Sequence, residues 1–129
     1  MDSTNNKLKI LVVDDDSNLN TVLVDKLNKS GFEAVGAPDG EEGLKKALEF
    51  HPDVILLDLV MPIMDGFEVL KRLREDAWGK KTKVIMLTLI DRMDSIAQAV
   101  DNNVAGYLVK TNYSLDQIVE EVKHLLKIK

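Results

Sequence analysis

The feature that most constrains this chain is an alternation, repeated five times, between two hydrophobic rhythms. Short apolar runs occur at Leu8–Val13, Phe32–Ala37, Val54–Leu57, Val84–Thr88 and Gly106–Val109. Between them apolar residues return at spacings of three and four, as on the buried stripe of a helix. Leu19, Val22, Leu23 and Leu27 set the first such stripe, and Gly31 supplies its stop. Asp39 with Glu42 and Asp65 with Glu68 read as capping boxes. The first opens a helix through Leu44, Ala47 and Leu48, the second one carrying Phe67, Leu70 and Leu73. Asp91 opens a more polar helix toward Asn102. Ser114 with Gln117 opens the last, in which Leu115, Ile118, Val119, Val122, Leu125 and Leu126 share a face.

Strands and helices in strict alternation predict an α/β domain with a mainly parallel sheet. The strands are apolar nearly throughout, so helices must cover both faces of that sheet. A chain of 129 residues fits one such domain, and no linker, repeat or low-complexity stretch divides it. Residues 1–7 read as a poorly ordered lead and 8–129 as the folded unit. With no cysteine, a thiol nucleophile, a disulfide framework and a zinc–thiolate site are excluded. The apolar stretches fall far short of the ~20 residues a membrane span needs, and Met1–Lys7 has no apolar signal segment. Against 22 acidic residues stand 17 basic ones, a net charge of −5 that duplex phosphates would repel. The expectation is a cytoplasmic domain with no direct nucleic-acid or membrane contact.

In open α/β sheets ligands bind beyond the carboxyl ends of the strands, so the residues that end each apolar run matter most. The first run ends in Asp14, Asp15 and Asp16, the third in Asp58, the fourth in Thr88 and the fifth in Lys110. Two unit charges 4 Å apart repel by about 4 kcal/mol at an effective dielectric near 20. Carboxylates crowded on one edge must therefore take up protons or bind a cation. An all-oxygen donor set favours a hard divalent ion, Mg²⁺ or Mn²⁺. With a lysine and a hydroxyl beside it, such a site suits a transferring phosphoryl group. The nucleophile is then the carboxylate standing alone at a strand end, Asp58. Asp16 reads as a helix cap or loop residue rather than a ligand, and Trp78 as a packing residue. His51 and His124 read as surface residues, and the segments Gly79–Lys83 and Lys123–Lys129 as solvated faces.

Five segments carry a family resemblance: Ile10–Asp16 (ILVVDDD), Asp53–Asp58 (DVILLD), Met61–Gly66 (MPIMDG), Val84–Thr88 (VIMLT) and Gly106–Lys110 (GYLVK). In this order and spacing the chain resembles a response-regulator receiver domain of two-component signalling, like the chemotaxis regulators. The resemblance implies a flavodoxin-like, doubly wound (βα)5 fold with strand order 2-1-3-4-5. It implies that Asp58 accepts a phosphoryl group from a phosphohistidine on a sensor histidine kinase or a phosphotransfer protein. Asp15 and Asp58 would ligate Mg²⁺ with the carbonyl of Val60, and Asp14 would act through a metal-bound water. Thr88 and Lys110 would contact the phosphoryl oxygens, and Tyr107 would be the switch aromatic. Pro62 and Gly66 would shape the loop after Asp58. The output would be a change in the face of the fourth helix, fifth strand and fifth helix, read by a downstream protein. Arg92 is the lone basic residue expected in the fourth helix, which argues for a monomer or a weak dimer linked to phosphorylation.

Three departures from the family pattern, at four positions, stand out. Thr111 stands where a proline usually follows the lysine; a non-proline cis bond costs ~3–4 kcal/mol, so the Lys110–Thr111 bond is expected trans, with a rearranged loop. Leu89 replaces a small residue and would narrow access to the phosphoryl group. Val60 and Ile90 flank the path of the hydrolytic water with side chains that cannot orient it, which predicts slow self-dephosphorylation. Two other readings compete. Asp14-Asp15-Asp16 also matches the Asp-x-Asp nucleophile of haloacid-dehalogenase-like phosphatases, with Asp14 attacking. The chain could also be an interaction module that needs no phosphorylation.

Overall fold

The computed structural model describes residues 7–127, so the poorly ordered lead expected at residues 1–7 lies, Lys7 apart, outside the described residues. Five strands alternate with five helices: β1 (Lys9–Val13), α1 (Ser17–Lys29), β2 (Glu33–Ala37), α2 (Gly40–Phe50), β3 (Val54–Leu57), α3 (Gly66–Glu75), β4 (Lys83–Thr88), α4 (Met93–Asp101), β5 (Gly106–Val109) and α5 (Leu115–Leu125). A 3₁₀ turn, Lys110–Asn112, follows β5. All pairings are parallel and the order is β2-β1-β3-β4-β5, the doubly wound arrangement expected. The chain winds outward from β1 in both directions, so the crevice between the ends of β1 and β3 is the switch point where ligands sit.

Strand side chains alternate between two cores. Ile10, Val12, Val54, Leu56, Ile85 and Leu87 pack with Leu23 and Leu27 of α1 and with Ile118, Val119 and Val122 of α5. Leu11, Val13, Ile55, Leu57, Val84 and Met86 pack against Ala47, Val69, Leu70, Leu73 and Ala99 of α2, α3 and α4. Asp16, Asp39 and Asp65 accept from the backbone N–H three residues on, capping α1, α2 and α3. At Ser114 and Gln117 both halves of the capping box are made.

Some expectations are corrected. Val22 and Leu48 are exposed, because the buried stripes run through Leu23 and Leu27 in α1 and through Gly40, Gly43 and Ala47 in α2. The fourth helix is capped at Arg92, without a side-chain bond, rather than at Asp91. Gly79 and Thr82 are buried, not solvated, because the Arg74 guanidinium gathers their carbonyls. Trp78 does pack, stacked on His51 with ring centroids 4.3 Å apart.

Candidate functional site

Register places the key carboxylates side by side. Val13 and Leu57 are paired across β1 and β3, and the Asp58 N–H donates to the Val13 carbonyl at 3.0 Å. Asp14 and Asp58 therefore leave adjacent strands at the switch point. Both are buried, while Asp15 is exposed. One oxygen from each of Asp14, Asp15 and Asp58 lies within 4.8 Å of the others. Behind Asp58 the amino end of α3 rests on the loop: the Gly66 N–H donates to the Leu59 carbonyl at 2.8 Å. A Cβ at Gly66 would meet the Asp58 carbonyl oxygen at 2.3 Å, so glycine is required there for closeness alone.

Lys110 reaches this cluster through a trans bond to Thr111, since no cis peptide occurs among the described residues. Its ammonium donates to Asp58 Oδ2 at 3.1 Å and pairs with Asp14 Oδ2 at 2.7 Å. Burial alone would lower the Lys110 pKa, but the two carboxylates outweigh it and hold it above its ordinary value. For Asp14 burial wins instead: despite Lys110 and the Asp16 N–H, its carboxyl is pushed above the usual range, with Asp58 adding to the rise. Both Asp14 oxygens are engaged, Oδ1 by the Asp16 N–H at 2.9 Å and Oδ2 by Lys110. That makes Asp14 a poor nucleophile.

Thr88, at the end of β4, is fully buried, and its Oγ1 accepts from the Ile90 N–H at 3.3 Å. The Tyr107 hydroxyl donates to the carbonyl of the same residue at 2.6 Å. Burial and the nearby carboxylates Asp91, Asp58 and Asp94 raise its pKa. The backbone of Ile90 thus links the two residues expected to switch. A cleft of about 390 Å³ opens over the cluster, lined by Asp14, Asp15, Asp16, Asp58, Val60, Thr88, Leu89, Ile90 and Lys110. Val60 and Leu89 are well exposed and Ile90 is half-buried at this mouth. Tyr107, expected from sequence as the switch aromatic, stays outside the lining and bonds to it through Ile90, and the loop residues Pro62, Gly66 and Thr111 also lie outside it. Sequence reasoning missed Asn20, whose amide bonds the Asp14 carbonyl at 2.9 Å; a polar residue on the helix stripe facing the sheet was the available signal.

The model of the response regulator receiver domain matches residues 10–123. The chain belongs to the response-regulator receiver family. The receiver is 38% identical over 127 residues to the transcriptional regulatory protein PrrA of Mycobacterium tuberculosis, covering 98% of this chain and 53% of PrrA. It is 39% identical over 127 residues to the transcriptional regulatory protein ResD of Bacillus subtilis, covering 98% of this chain and 51% of ResD. The receiver thus spans about half the length of the curated relatives it matches. Among solved structures, the chemotaxis protein CheY4 of Vibrio cholerae superimposes with a TM-score of 0.86 at 30% identity, covering 92% of this chain and 98% of that one. Relatives of this kind are signalling receivers rather than catalytic enzymes, which sets aside the phosphatase reading. No helix among the described residues is long and apolar enough to cross a membrane.

The donor set fits a hard cation. Three carboxylates share the cluster with one ammonium, so two negative charges remain in excess when all are ionised. The oxygens belong to Asp14, Asp15 and Asp58, with neither sulfur nor imidazole among them.

Proposed function

We propose that the receiver is a phosphoacceptor switch in which Asp58 takes a phosphoryl group from a phosphohistidine of a sensor histidine kinase or phosphotransfer protein. The observation that carries this reading is the position of Asp58: a buried carboxylate at the switch point, bonded to Lys110 and grouped with two further carboxylates. An Asp58 carboxylate oxygen attacks phosphorus, the O–P bond forms, and the P–N bond breaks as its electron pair returns to the imidazole. Asp14, Asp15 and Asp58 would hold Mg²⁺, with the Val60 carbonyl as a further oxygen ligand. When bound, the ion neutralises charge on the phosphoryl oxygens. Lys110 stays protonated beside Asp58 and would add its own positive charge against the phosphoryl oxygens.

Switching follows from the Ile90 backbone. A phosphoryl oxygen would accept from the Thr88 O–H and draw that hydroxyl away from the Ile90 N–H, which now donates to it, and the Ile90 carbonyl is where Tyr107 is anchored. A change at Thr88 is therefore felt at Tyr107 on β5, at the α4–β5–α5 face a downstream protein would read. The Val60 and Ile90 side chains offer no polar group to orient a water, so the phospho-form should outlast seconds.

The test is intact-mass spectrometry after incubation with acetyl phosphate and Mg²⁺. One phosphoryl group is expected on wild type and none on Asp58→Asn. A gain that survives Asp58→Asn moves the chemistry elsewhere; no gain on wild type favours the interaction module. Chasing the wild-type phospho-form after desalting gives its lifetime, and decay within seconds contradicts the role given to Val60 and Ile90.

A further inference from the structure

The loop that carries Asp14 and Asp15 is pinned by a side chain from outside the carboxylate cluster. Asn20 in α1 donates through its amide nitrogen to the Asp14 carbonyl at 2.9 Å and the Ala37 carbonyl at 2.9 Å, with the Val12 carbonyl at 3.4 Å. The Asp14 N–H donates to the same Ala37 carbonyl at 3.2 Å. The Asp14 carbonyl belongs to the peptide joining Asp14 to Asp15. Holding it restricts rotation on both sides of that peptide, and so the direction in which the Asp15 carboxylate leaves the chain. The amide has room only because residue 36 is glycine: a Cβ there would lie 2.1 Å from Asn20 Oδ1 and 3.3 Å from Val24 Cγ2. The Gly36 backbone lies outside the left-handed region, so the missing side chain matters here, not conformational freedom.

We propose that Asn20, seated by Gly36, is a positioning residue for the metal site and sets its Mg²⁺ affinity by holding the Asp14–Asp15 peptide. This deepens the reading above and rests on it, because the three carboxylates must bind the ion. A loop that samples other orientations binds in proportion to the fraction of time it is competent. Partners that orient ligand side chains directly are worth ~10–100-fold in metal affinity. Acting one step further out, through the backbone, Asn20 should be worth about three- to tenfold.

Titration calorimetry of the full chain with MgCl₂ tests this on wild type, Asn20→Ala, Gly36→Ala, the double variant and Asn28→Ala. Gly36→Ala collides first with the end of the Asn20 side chain, Val24 Cγ2 needing to yield by only a few tenths of an ångström, so it carries the test even if Asn20→Ala folds poorly. Asn28 is the control: on the same helix, its carboxamide accepts from the Ala34 N–H at 2.8 Å and donates to the Ala34 carbonyl at 3.2 Å, away from the loop. Asn20→Ala and Gly36→Ala are each expected to weaken Mg²⁺ about three- to tenfold, and the double variant no more than Asn20→Ala alone. Asn28→Ala should leave affinity unchanged. Unaltered affinity in both Asn20→Ala and Gly36→Ala, additive losses in the double variant, or an equal loss in Asn28→Ala overturns the inference while leaving the site intact. Absence of Mg²⁺ binding by wild type overturns the metal reading itself.

Discussion

At the amino-terminal edge of β4 and β5 the Arg74 guanidinium donates to four carbonyls: Gly79 at 2.7 Å, Thr82 at 2.9 Å, Asn102 at 3.0 Å and Asn103 at 3.1 Å. At the carboxyl edge of the same strands, Lys110 faces two buried carboxylates with a third nearby. Each end places one cation among oxygens. At the Arg74 end the acceptors are neutral dipoles fixed by the backbone, and a rigid five-donor fork satisfies them. At the Lys110 end the acceptors are charged and outnumber the cation. One end is saturated and holds three segments together; the other is left short of positive charge, which a ligand can supply. Stability and responsiveness are thus divided between the two edges of one sheet.

The largest effect should come from breaking the saturated end. Arg74→Met removes the donor to four carbonyls and leaves the Thr82 segment without its partner, so a loss of about 3 kcal/mol is expected. Urea denaturation checks it, and acetyl phosphate labelling at Asp58 should proceed unchanged wherever the variant remains folded. A loss under ~1 kcal/mol would mean water replaces the guanidinium easily and the two ends do not differ in kind.

At the carboxyl edge the sign of a charge deletion should depend on the cation. Mg²⁺ at a hundred times its dissociation constant should stabilise wild type by about 2.7 kcal/mol. Asp15→Asn should lose most of that gain. In EDTA the same variant should be slightly more stable than wild type, by roughly 0.5 kcal/mol, since it removes an exposed charge from a crowd of like charges. Thermal unfolding with and without Mg²⁺ reads both numbers. A variant less stable than wild type in EDTA would show that the cluster is not frustrated when empty.

The two edges also differed in how legible they were from sequence. The carboxyl edge could be read because strand ends are marked twice, by where an apolar run stops and by an Asp, Thr or Lys standing there. Register then follows from parallel pairing, and Asp14, Asp58, Thr88 and Lys110 meet as expected. The Arg74 clamp left no such mark. Its partners are backbone carbonyls, which every residue possesses, and two of them lie 28 and 29 residues away. The same holds for Asn20 and Gly36, whose relation is a shared volume rather than a motif. Ile63 sits at φ 73°, a left-handed conformation that no propensity of a β-branched residue foretells. Val22 and Leu48 were misassigned because apolar spacing identifies a stripe but not its centre.

The smallest expected effect tests whether burial or Lys110 governs Asp14. Burial holds the Asp14 carboxyl above its ordinary value of 3.8, against the pull of Lys110 and of the Asp16 N–H. For an acid raised on folding, the stabilising contribution is fully present below the unfolded value and is lost as pH rises through the folded one. The folded protein therefore takes up this proton before the unfolded chain does as pH falls. In EDTA, the stability of wild type relative to Asp14→Asn should decline as pH rises from 3.8 through the raised value, then level off. Lys110 does not confound this window, because its own raised pKa places its titration on the alkaline side of 10.5. Mg²⁺ affinity should fall in the opposite direction, weakening on acidification as protonation of Asp14 removes a negative charge from the site. Should relative stability instead rise with pH across this window, Asp14 is held ionised by Lys110 as an ordinary paired carboxylate. The carboxyl edge would then resemble the Arg74 edge, a satisfied charge rather than one poised for a ligand.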